Sequence, residues 1–302
     1  MYASNLREVS GLAASMQNEL SCTIPSFVKR ASPSDKHGSR TRAYIGETRL
    51  AMEELSSALL SDAKPAPTED VVLVDYDEKG EEKAIAAMLY PYSRLPMRQL
   101  REFVAGMGSQ EGCKAIAEYM GTRENRRHRP GRALETVYYT FDVLGNYGMY
   151  RDLHRHRMLT QERQELTTLH GYDDPEELAA IGFKDEFEKC MQAADSAYRE
   201  IPKKMPAQAQ YVVPLAYRLR WYMKLNLREV FHMTELRSSP QGHIDYRRVA
   251  QKMFLKVKEV HPSLAEYIKF VDMSGGQKLE RLDAEKRTDS KLAELEKKYG
   301  KK

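Results

Sequence analysis

The sequence predicts an α+β protein in which helices flank a sheet, with a helical segment at the N-terminus and a charged tail at the C-terminus. Three observations predict this arrangement. Apolar residues recur at helical spacing over much of the chain. Two compact runs rich in β-branched and aromatic residues, Val71–Tyr76 and Val137–Leu144, have the composition of strands. From Ser274 onward, charged residues dominate and large apolar side chains are few, which is typical of a frayed or mobile tail.

The composition is that of a globular protein with one large domain or two small ones. Of the 302 residues, 41% are hydrophobic and 30% are charged. No apolar window approaches the roughly 20 residues of a membrane span, so no membrane association is expected. The net charge of +4 is too small to indicate nucleic acid binding by itself. The three cysteines form no CxxC pair, which argues against disulfides and a cysteine zinc site and favours a reducing cytoplasm.

The first 69 residues are predicted to form helices joined by linkers. Apolar residues at fourfold spacing predict a helix over 4–24 that ends at Pro25. A second helix is expected over 43–60, and the segments 31–39 and 63–70 have the composition of linkers.

The central domain is predicted over residues 70–273, between the helical segment 1–69 and the tail 274–302. A short edge strand is expected over 211–216, because Pro214 excludes a central position in a sheet. Helices are predicted over 81–90, 96–107, 109–121, 184–201, 218–237 and 243–260, and a basic loop is predicted over 123–132.

One short pattern occurs twice. Met16-x3-Leu20-x4-Pro25-Ser26 is matched by Met253-x3-Val257-x4-Pro262-Ser263. If the two copies are homologous, the N-terminal segment is the tail of an upstream repeat, and the chain is one half of a fused tandem.

A polar block over 152–166 follows the second strand. The block is rich in guanidinium and imidazole donors and in amide and carboxylate groups. These residues are Arg155, His156, Arg157, Gln161, Glu162, Arg163 and Gln164. Buried charges need partners, so this block is expected to form a surface that binds a polar, anionic and planar ligand. Guanidinium groups bind phosphates through two hydrogen bonds and stack on flat rings. The alternative is a solvated turn whose arginines pair with nearby carboxylates.

A second polar block occupies the predicted helix over 218–237. At about 100° per residue, Arg228 and His232 share one face, and Asn226 and Arg237 share another. Polar groups on two faces indicate contact with two ligand pockets or with two subunits. The alternative is structural: Arg228 pairs with the carboxylate of Glu229 or Glu235, and His232 is a satisfied core histidine.

Together, the two blocks resemble the flavin-dependent thymidylate synthases (ThyX). That family has an RHR signature, then a polar stretch containing Asn/Gln-Glu, and later a helix of the form N-x-R-x3-[N/H]-x4-R. Arg155–Arg157, Gln161-Glu162 and Asn226–Arg237 match these elements in order, and Gly242–Arg247 lies in register with the family's next element. The resemblance runs from about Val71 to Asp272 and implies a mostly antiparallel sheet flanked by helices.

The resemblance also implies roles for individual residues. Arg155, His156 and Arg157 would contact FAD, and Glu162 would lie where the flavin meets the nucleotide. Asn226, Arg228 and His232 would complete the flavin pocket. Arg237 would hold the pyrimidine of dUMP and polarise it for attack, which makes it the candidate catalytic residue.

The implied reaction is the reductive methylation of dUMP to dTMP. Methylenetetrahydrofolate would supply the carbon, and NADPH would reduce the FAD. No cysteine nucleophile is needed, and no cysteine lies near either block. Family members are homotetramers with active sites between subunits, which agrees with polar groups on two helix faces.

The sequence departs from the family in the nucleotide half of the site. Family members place a Ser, and an Arg two residues later, after the RHR to bind the dUMP phosphate. Here Arg163 or Gln164 stands near the Ser position, and these two residues and Asp152 are the candidate substrate-binding residues. The upstream element retains Leu134 and Glu135 but lacks its two histidines.

Two other function classes are alternatives to the synthase. The chain could be a non-catalytic flavin-binding or structural half of a tandem, or it could bind nucleic acid through its basic segments. Acidic residues interrupt those segments, which disfavours nucleic acid. A metal site is not expected, since His154 and His156 have no nearby cysteine or third histidine. No GxSxG motif indicates a hydrolase.

Overall fold

A computed structural model describes residues 1–32, 34–275 and 280–300. The chain divides into two compact units. One comprises Met1–Pro67 with Gln192–Val212, and the other comprises Thr68–Met191 with Val213–Lys302. The domain limits predicted at residues 69 and 273 remain predictions.

The first unit is built on helices α1 (Arg7–Thr23), α2 (Pro25–Val28) and α3 (Lys36–Leu59). Helix α1 ends before Pro25, as predicted. Helix α3 begins seven residues earlier than expected, because the side chain of Asp35 accepts hydrogen bonds from the backbone N–H groups of His37 and Gly38. A linker had been predicted across this start.

The second unit contains a four-stranded antiparallel sheet in the order β1-β2-β4-β3. The strands are β1 (Val71–Tyr76), β2 (Tyr138–Asn146), β3 (Leu159–Arg163) and β4 (Arg218–Asn226). This architecture confirms the predicted α+β class and its antiparallel sheet.

Strand β4 corrects the prediction of one helix over 218–237. Apolar residues alternate with polar ones from Arg218 to Asn226, and Leu219, Trp221 and Met223 are buried on one face. This is the period of a strand, and the register pairs Val143 of β2 with Trp221. Only the remaining residues form a helix, α10 (Leu227–Arg237).

Two other strand assignments were also wrong. Residues 159–163 pair with β4 at the edge of the sheet, where no strand had been predicted. The edge strand expected over 211–216 is absent from the described residues. There, a 3-10 helix covers Pro206–Val212, and Pro214 cannot donate a ladder hydrogen bond.

Helices cover the buried face of the sheet. Helix α10 packs on β4, helix α11 (Ile244–Val260) packs on β1, and helix α7 (Tyr147–Leu153) packs on β2. The remaining helices are α4 (Gly80–Leu89), α5 (Met97–Ala105), α6 (Ser109–Met120), α8 (Glu176–Ala180), α9 (Lys184–Glu200), α12 (Pro262–Ala265) and α13 (Glu280–Tyr299). Among the described residues, no helix is both long and apolar enough to cross a membrane.

Helix α13 occupies most of the predicted charged tail. Residues 276–279 and 301–302 of that tail lie outside the described residues.

Candidate functional site

Three segments of the second unit enclose a cavity of about 340 Å³. They are the basic loop that ends at Pro130, the RHR segment and helix α10. The charged and imidazole side chains that line it are Arg123, Arg126, Arg129, Arg155, His156, Arg157, Arg228, Glu229, His232, Glu235 and Arg237. The lining therefore holds seven arginines and two glutamates, a balance that favours an anionic ligand.

At the floor of the cavity, His156 joins the RHR segment to helix α10. Its buried imidazole Nδ1 lies 2.6 Å from Oε1 of Glu229. Nε of Arg237 donates to the other imidazole nitrogen, Nε2, at 3.0 Å. Because a carboxylate only accepts, the imidazole donates through Nδ1 and accepts through Nε2. Glu229, His156 and Arg237 thus form one chain of hydrogen bonds.

These hydrogen bonds also orient the guanidinium of Arg237. Its Nη2 donates to the backbone oxygen of Asp152 at 2.7 Å, and its carbon lies 5.5 Å from the ring centre of Tyr246. The carboxylate of Asp152 lies 3.3 Å from Nη1 of Arg155. Arg237 is therefore held at both ends of its planar group, beside the RHR segment.

Arg123 forms a buried ion pair with Glu235. Its Nη1 and Nη2 donate to the two carboxylate oxygens, each at 2.8 Å. Further hydrogen bonds run to the backbone oxygens of Tyr267 and His128, and the guanidinium also lies over the ring of Phe231. All the donor nitrogens of Arg123 are used inside the fold.

Arg228 is also engaged by the protein. Its Nε donates to the backbone oxygen of Pro130 at 2.9 Å, and its Nη1 donates to Glu135 at 2.8 Å. The Arg132 guanidinium lowers the pKa of the Glu135 carboxyl, and Arg228 lowers it further. The sequence predicts Arg228 as a flavin ligand. Only the N–H groups that are not used in these two hydrogen bonds are available for that role.

Arg126, Arg129 and Arg157 differ from these two arginines. All three are exposed, and their side chains make no hydrogen bond or ion pair with the described residues. Partial burial lowers the pKa of His232, and the charges of Arg129 and Arg126 lower it further, while Glu229 raises it. The cavity wall thus presents positive charge that the described residues leave uncompensated.

The structure brings together most of the residues singled out from the sequence. Arg155, His156, Arg157, Arg228, His232 and Arg237 line the cavity, and Asp152 contacts two of them. Asn226 does not line it. Its Oδ1 accepts from the backbone N–H of Glu229 at 2.9 Å, which makes it the cap of helix α10.

The residues predicted on the polar stretch after the RHR also lie outside the cavity lining. Glu162 and Arg163 are exposed on the edge strand β3, and Gln164 follows them. Nη1 of Arg163 donates to the backbone oxygen of Gln164. None of the three lines the cavity.

Sequence reasoning missed the contribution of the basic loop and of the two glutamates. From the sequence, the basic loop over 123–132 is a candidate only for nucleic acid binding. Glu229 and Glu235 are predicted only to pair with Arg228 on the same helix. Their actual partners, His156 and Arg123, lie 73 and 112 residues away along the chain, so no local signal identifies them.

The ligand atoms of His156, Glu229 and His232 lie within 4.8 Å of one another, as in a metal site. Both nitrogens of His156 are already hydrogen-bonded, one of them to an arginine. A cation would also meet the positive charge of the surrounding arginines. The arrangement therefore favours an anion over a metal ion.

The sequence model of the thymidylate synthase complementing protein family, Thy1, matches residues 72–263. This span holds every segment that lines the cavity. The chain belongs to the Thy1 family.

Two curated relatives illustrate the match. A UPF0159 protein of Chlamydia muridarum is 38% identical over 270 residues, which is 89% of this chain and 51% of the relative. A flavin-dependent thymidylate synthase of Geobacter sulfurreducens is 30% identical over 141 residues, or 43% of this chain and 61% of the relative. The chain thus spans about half the length of the Chlamydia relative.

The fold also occurs in solved structures of other proteins. A UMP/dUMP methylase of Streptomyces cacaoi, bound with 5-Br dUMP, aligns with a TM-score of 0.52 at 16% identity. The alignment covers 67% of this chain and 94% of the methylase. At this identity, the likeness is one of fold.

Proposed function

We propose that this Thy1 chain catalyses the FAD-dependent reductive methylation of dUMP to dTMP. Methylenetetrahydrofolate is the carbon donor, and NADPH is the reductant. The observation that carries the proposal is the arginine-lined cavity where the RHR segment meets helix α10. Family membership and the names of the Geobacter and Streptomyces relatives support it.

The cavity lining fits FAD, which has an anionic diphosphate and a flat ring system. Arg155 and Arg157 would bind the diphosphate, because both guanidinium groups are exposed at the cavity and Arg157 has no partner among the described residues. His232, with its lowered pKa, would present a neutral imidazole to the ring edge. When bound, FAD supplies the hydride chemistry, while the protein binds and orients the substrate.

Arg237 would hold the pyrimidine of dUMP. Its guanidinium is fixed by His156 and by the backbone oxygen of Asp152, which leaves Nη1 to donate to a ligand. A donor held in place beforehand stabilises negative charge on a carbonyl oxygen without reorganisation.

The phosphate of dUMP has no assigned ligand in the cavity of one chain. Arg163 and Gln164, the candidates from the sequence, are absent from its lining. We propose that the chain acts as a homotetramer in which residues of another subunit complete the nucleotide site, as the family resemblance implies.

An absorbance spectrum of the purified chain tests this function. We expect flavin bands after reconstitution with FAD, and a shift of those bands when dUMP is added. A chain that cannot be reconstituted with FAD would contradict the proposal.

A second candidate function is a non-catalytic, flavin-binding half of a tandem protein. The observations that favour it are the cavity lining without Glu162, Arg163 or Gln164 and the double length of the Chlamydia relative. Flavin bands that do not respond to dUMP, with no dTMP formed, would support this alternative over the synthase.

A further inference from the structure

Helices α1 and α2 have the same dimensions as helices α11 and α12. Arg7–Thr23 and Ile244–Val260 each have 17 residues, and Pro25–Val28 and Pro262–Ala265 each have 4. A single offset of 237 residues relates all these limits, since 244 − 7 and 262 − 25 both equal 237.

The bend between the two helices is also the same in both pairs. The connecting residue Ile24 has φ −133° and ψ 55°, and His261 has φ −135° and ψ 68°. Each donates its backbone N–H to the residue four positions earlier, Leu20 or Val257. At the offset of 237, Ala13, Met16, Pro25 and Ser26 are identical to Ala250, Met253, Pro262 and Ser263. Shared length, bend and residues indicate two copies of one structural element.

The two copies differ in what covers them. In the second pair, Met253, Val257 and Leu264 are 0%, 0% and 1% exposed. The matching residues Met16, Leu20 and Phe27 are 47%, 39% and 86% exposed. Leu12 and Ile24 extend the same exposed face, which we call the α1–α2 face. Five large apolar side chains on one face of a helix pair form a patch that a solvated surface does not favour.

The second pair shows which surface this element covers. Helix α11 packs against helix α10 and strand β1 of the Thy1 sheet. At the bend, Nδ1 of His261 is hydrogen-bonded to the hydroxyl of Tyr139 on β2, at 2.7 Å. An element of this kind therefore closes the buried face of a Thy1 sheet.

We infer that the α1–α2 face is the closing helix pair of a second, preceding Thy1 fold. Its partner is a Thy1 sheet with its α10-like helix, and that fold lacks a closing pair of its own. The double length of the Chlamydia relative leaves room for such a fold. The inference is independent of the proposed activity, because it rests on helix geometry, on burial and on the length of the relative, and not on catalysis.

Two tandem proteins test this inference. In the first, Thr68–His243 of this chain is joined directly to Arg7, so that α1 and α2 follow His243 in the place of α11 and α12. In the second, the part of the Chlamydia muridarum relative outside the match is joined ahead of residue 1. Hydrogen exchange is measured for peptides from Arg7–Val28, which occur once in the first tandem.

We expect the α1 amides to exchange at least about tenfold more slowly in a tandem than in the single chain, since burial of the helix suppresses its local opening. Met16→Asp should abolish this protection. Asn18→Asp is the matched control, because Asn18 corresponds to Leu255, which is exposed on α11. It should leave the protection unchanged.

Equal exchange of α1 in the single chain and in both tandems would overturn the inference. The inference would also be wrong if the unmatched part of the Chlamydia relative follows the matched part instead of preceding it. If the single chain dimerises through Met16 while neither tandem protects α1, the partner is a second copy of this chain, and the tandem inference is wrong.

Discussion

Arg123 and Arg157 border the same cavity, but the fold uses them differently. Arg123 is 6% exposed, and its donors are taken up by Glu235 and two backbone oxygens. Arg157 is exposed, and its side chain makes no hydrogen bond or ion pair with the described residues. Residue type alone therefore does not identify a ligand contact. An arginine with its donors already paired supports the site, and one without a partner can bind an anion.

The largest effect is expected at Arg123. Replacing it by Ala leaves the Glu235 carboxylate buried without a partner, so the free energy of unfolding should fall by about 3–5 kcal/mol. Denaturant unfolding measures this change. The matched control Arg126→Ala should alter it by no more than about 0.5 kcal/mol. If both substitutions lowered the free energy of unfolding by the same small amount, the proposed difference between the buried Arg123 and the exposed Arg126 would be wrong.

The next effect concerns FAD at the RHR segment. We expect the double variant Arg155→Ala, Arg157→Ala to lose roughly 1.5–3 kcal/mol of FAD binding for each charged hydrogen bond removed. The unfolding midpoint should stay almost unchanged. Flavin retention on a desalting column and thermal unfolding measure the two quantities. Arg151→Ala, on helix α7 outside the cavity lining, is the control. Unchanged retention in the double variant would exclude this role.

Arg237→Lys is expected to weaken dUMP binding by about ten- to a hundredfold, or about 1.5–3 kcal/mol. A lysine cannot reach His156 and the Asp152 backbone oxygen and still offer a planar donor pair. FAD should remain bound. Calorimetric titration with dUMP measures the affinity, with Arg248→Lys on helix α11 as the control. Equal nucleotide affinity in the Arg237 variant would take this residue out of the site.

A smaller effect is expected at Asn226, which caps helix α10. Asn226→Ala should cost about 1 kcal/mol of stability, and Asn226→Asp should restore most of it, because Asp also accepts from the Glu229 N–H. Denaturant unfolding of both variants measures this. If Asn226→Asp loses FAD without losing stability, the residue binds flavin in addition to capping the helix.

The smallest effect is a shift in the pKa of His232. Burial and the nearby arginines lower this pKa below its usual value of 6.5, so the folded state binds the proton more weakly than the unfolded state. The contribution of His232 to stability therefore decreases as pH falls below about 6.5. The double variant Arg126→Ala, Arg129→Ala should raise the pKa, and Arg127→Ala should not. NMR titration of the imidazole follows both, and a pKa unaffected by the double variant would show that these charges are compensated.

Much of the fold could be predicted from the periodicity of apolar residues in the sequence. The helices over 81–90, 96–107, 109–121 and 243–260 lie within two residues of their predicted limits. Strand β4 was missed because its alternating residues run directly into the helical residues of α10, and the helical part dominated the pattern. The correct boundary is at Asn226, where a side-chain cap starts the helix.

The candidate site also has a part that the sequence predicted and a part that it did not. The RHR segment and the polar residues of helix α10 were identified from two motifs in order along the chain, and the structure brings most of them to one cavity. Asn226, Glu162, Arg163 and Gln164 were chosen by position in those motifs, and they lie outside its lining. A motif specifies order and spacing but not the direction in which a side chain points.

The class of fold, the family resemblance and the two polar blocks could be predicted from the sequence, because they depend on local period and on short motifs. Which polar residues pair within the fold depends instead on tertiary contacts. The pairs Arg123–Glu235, His156–Glu229 and His156–Arg237 join residues 112, 73 and 81 positions apart. Such partners meet only when the sheet brings the RHR segment, the basic loop and helix α10 together, and their burial decides which arginines keep donors for a ligand.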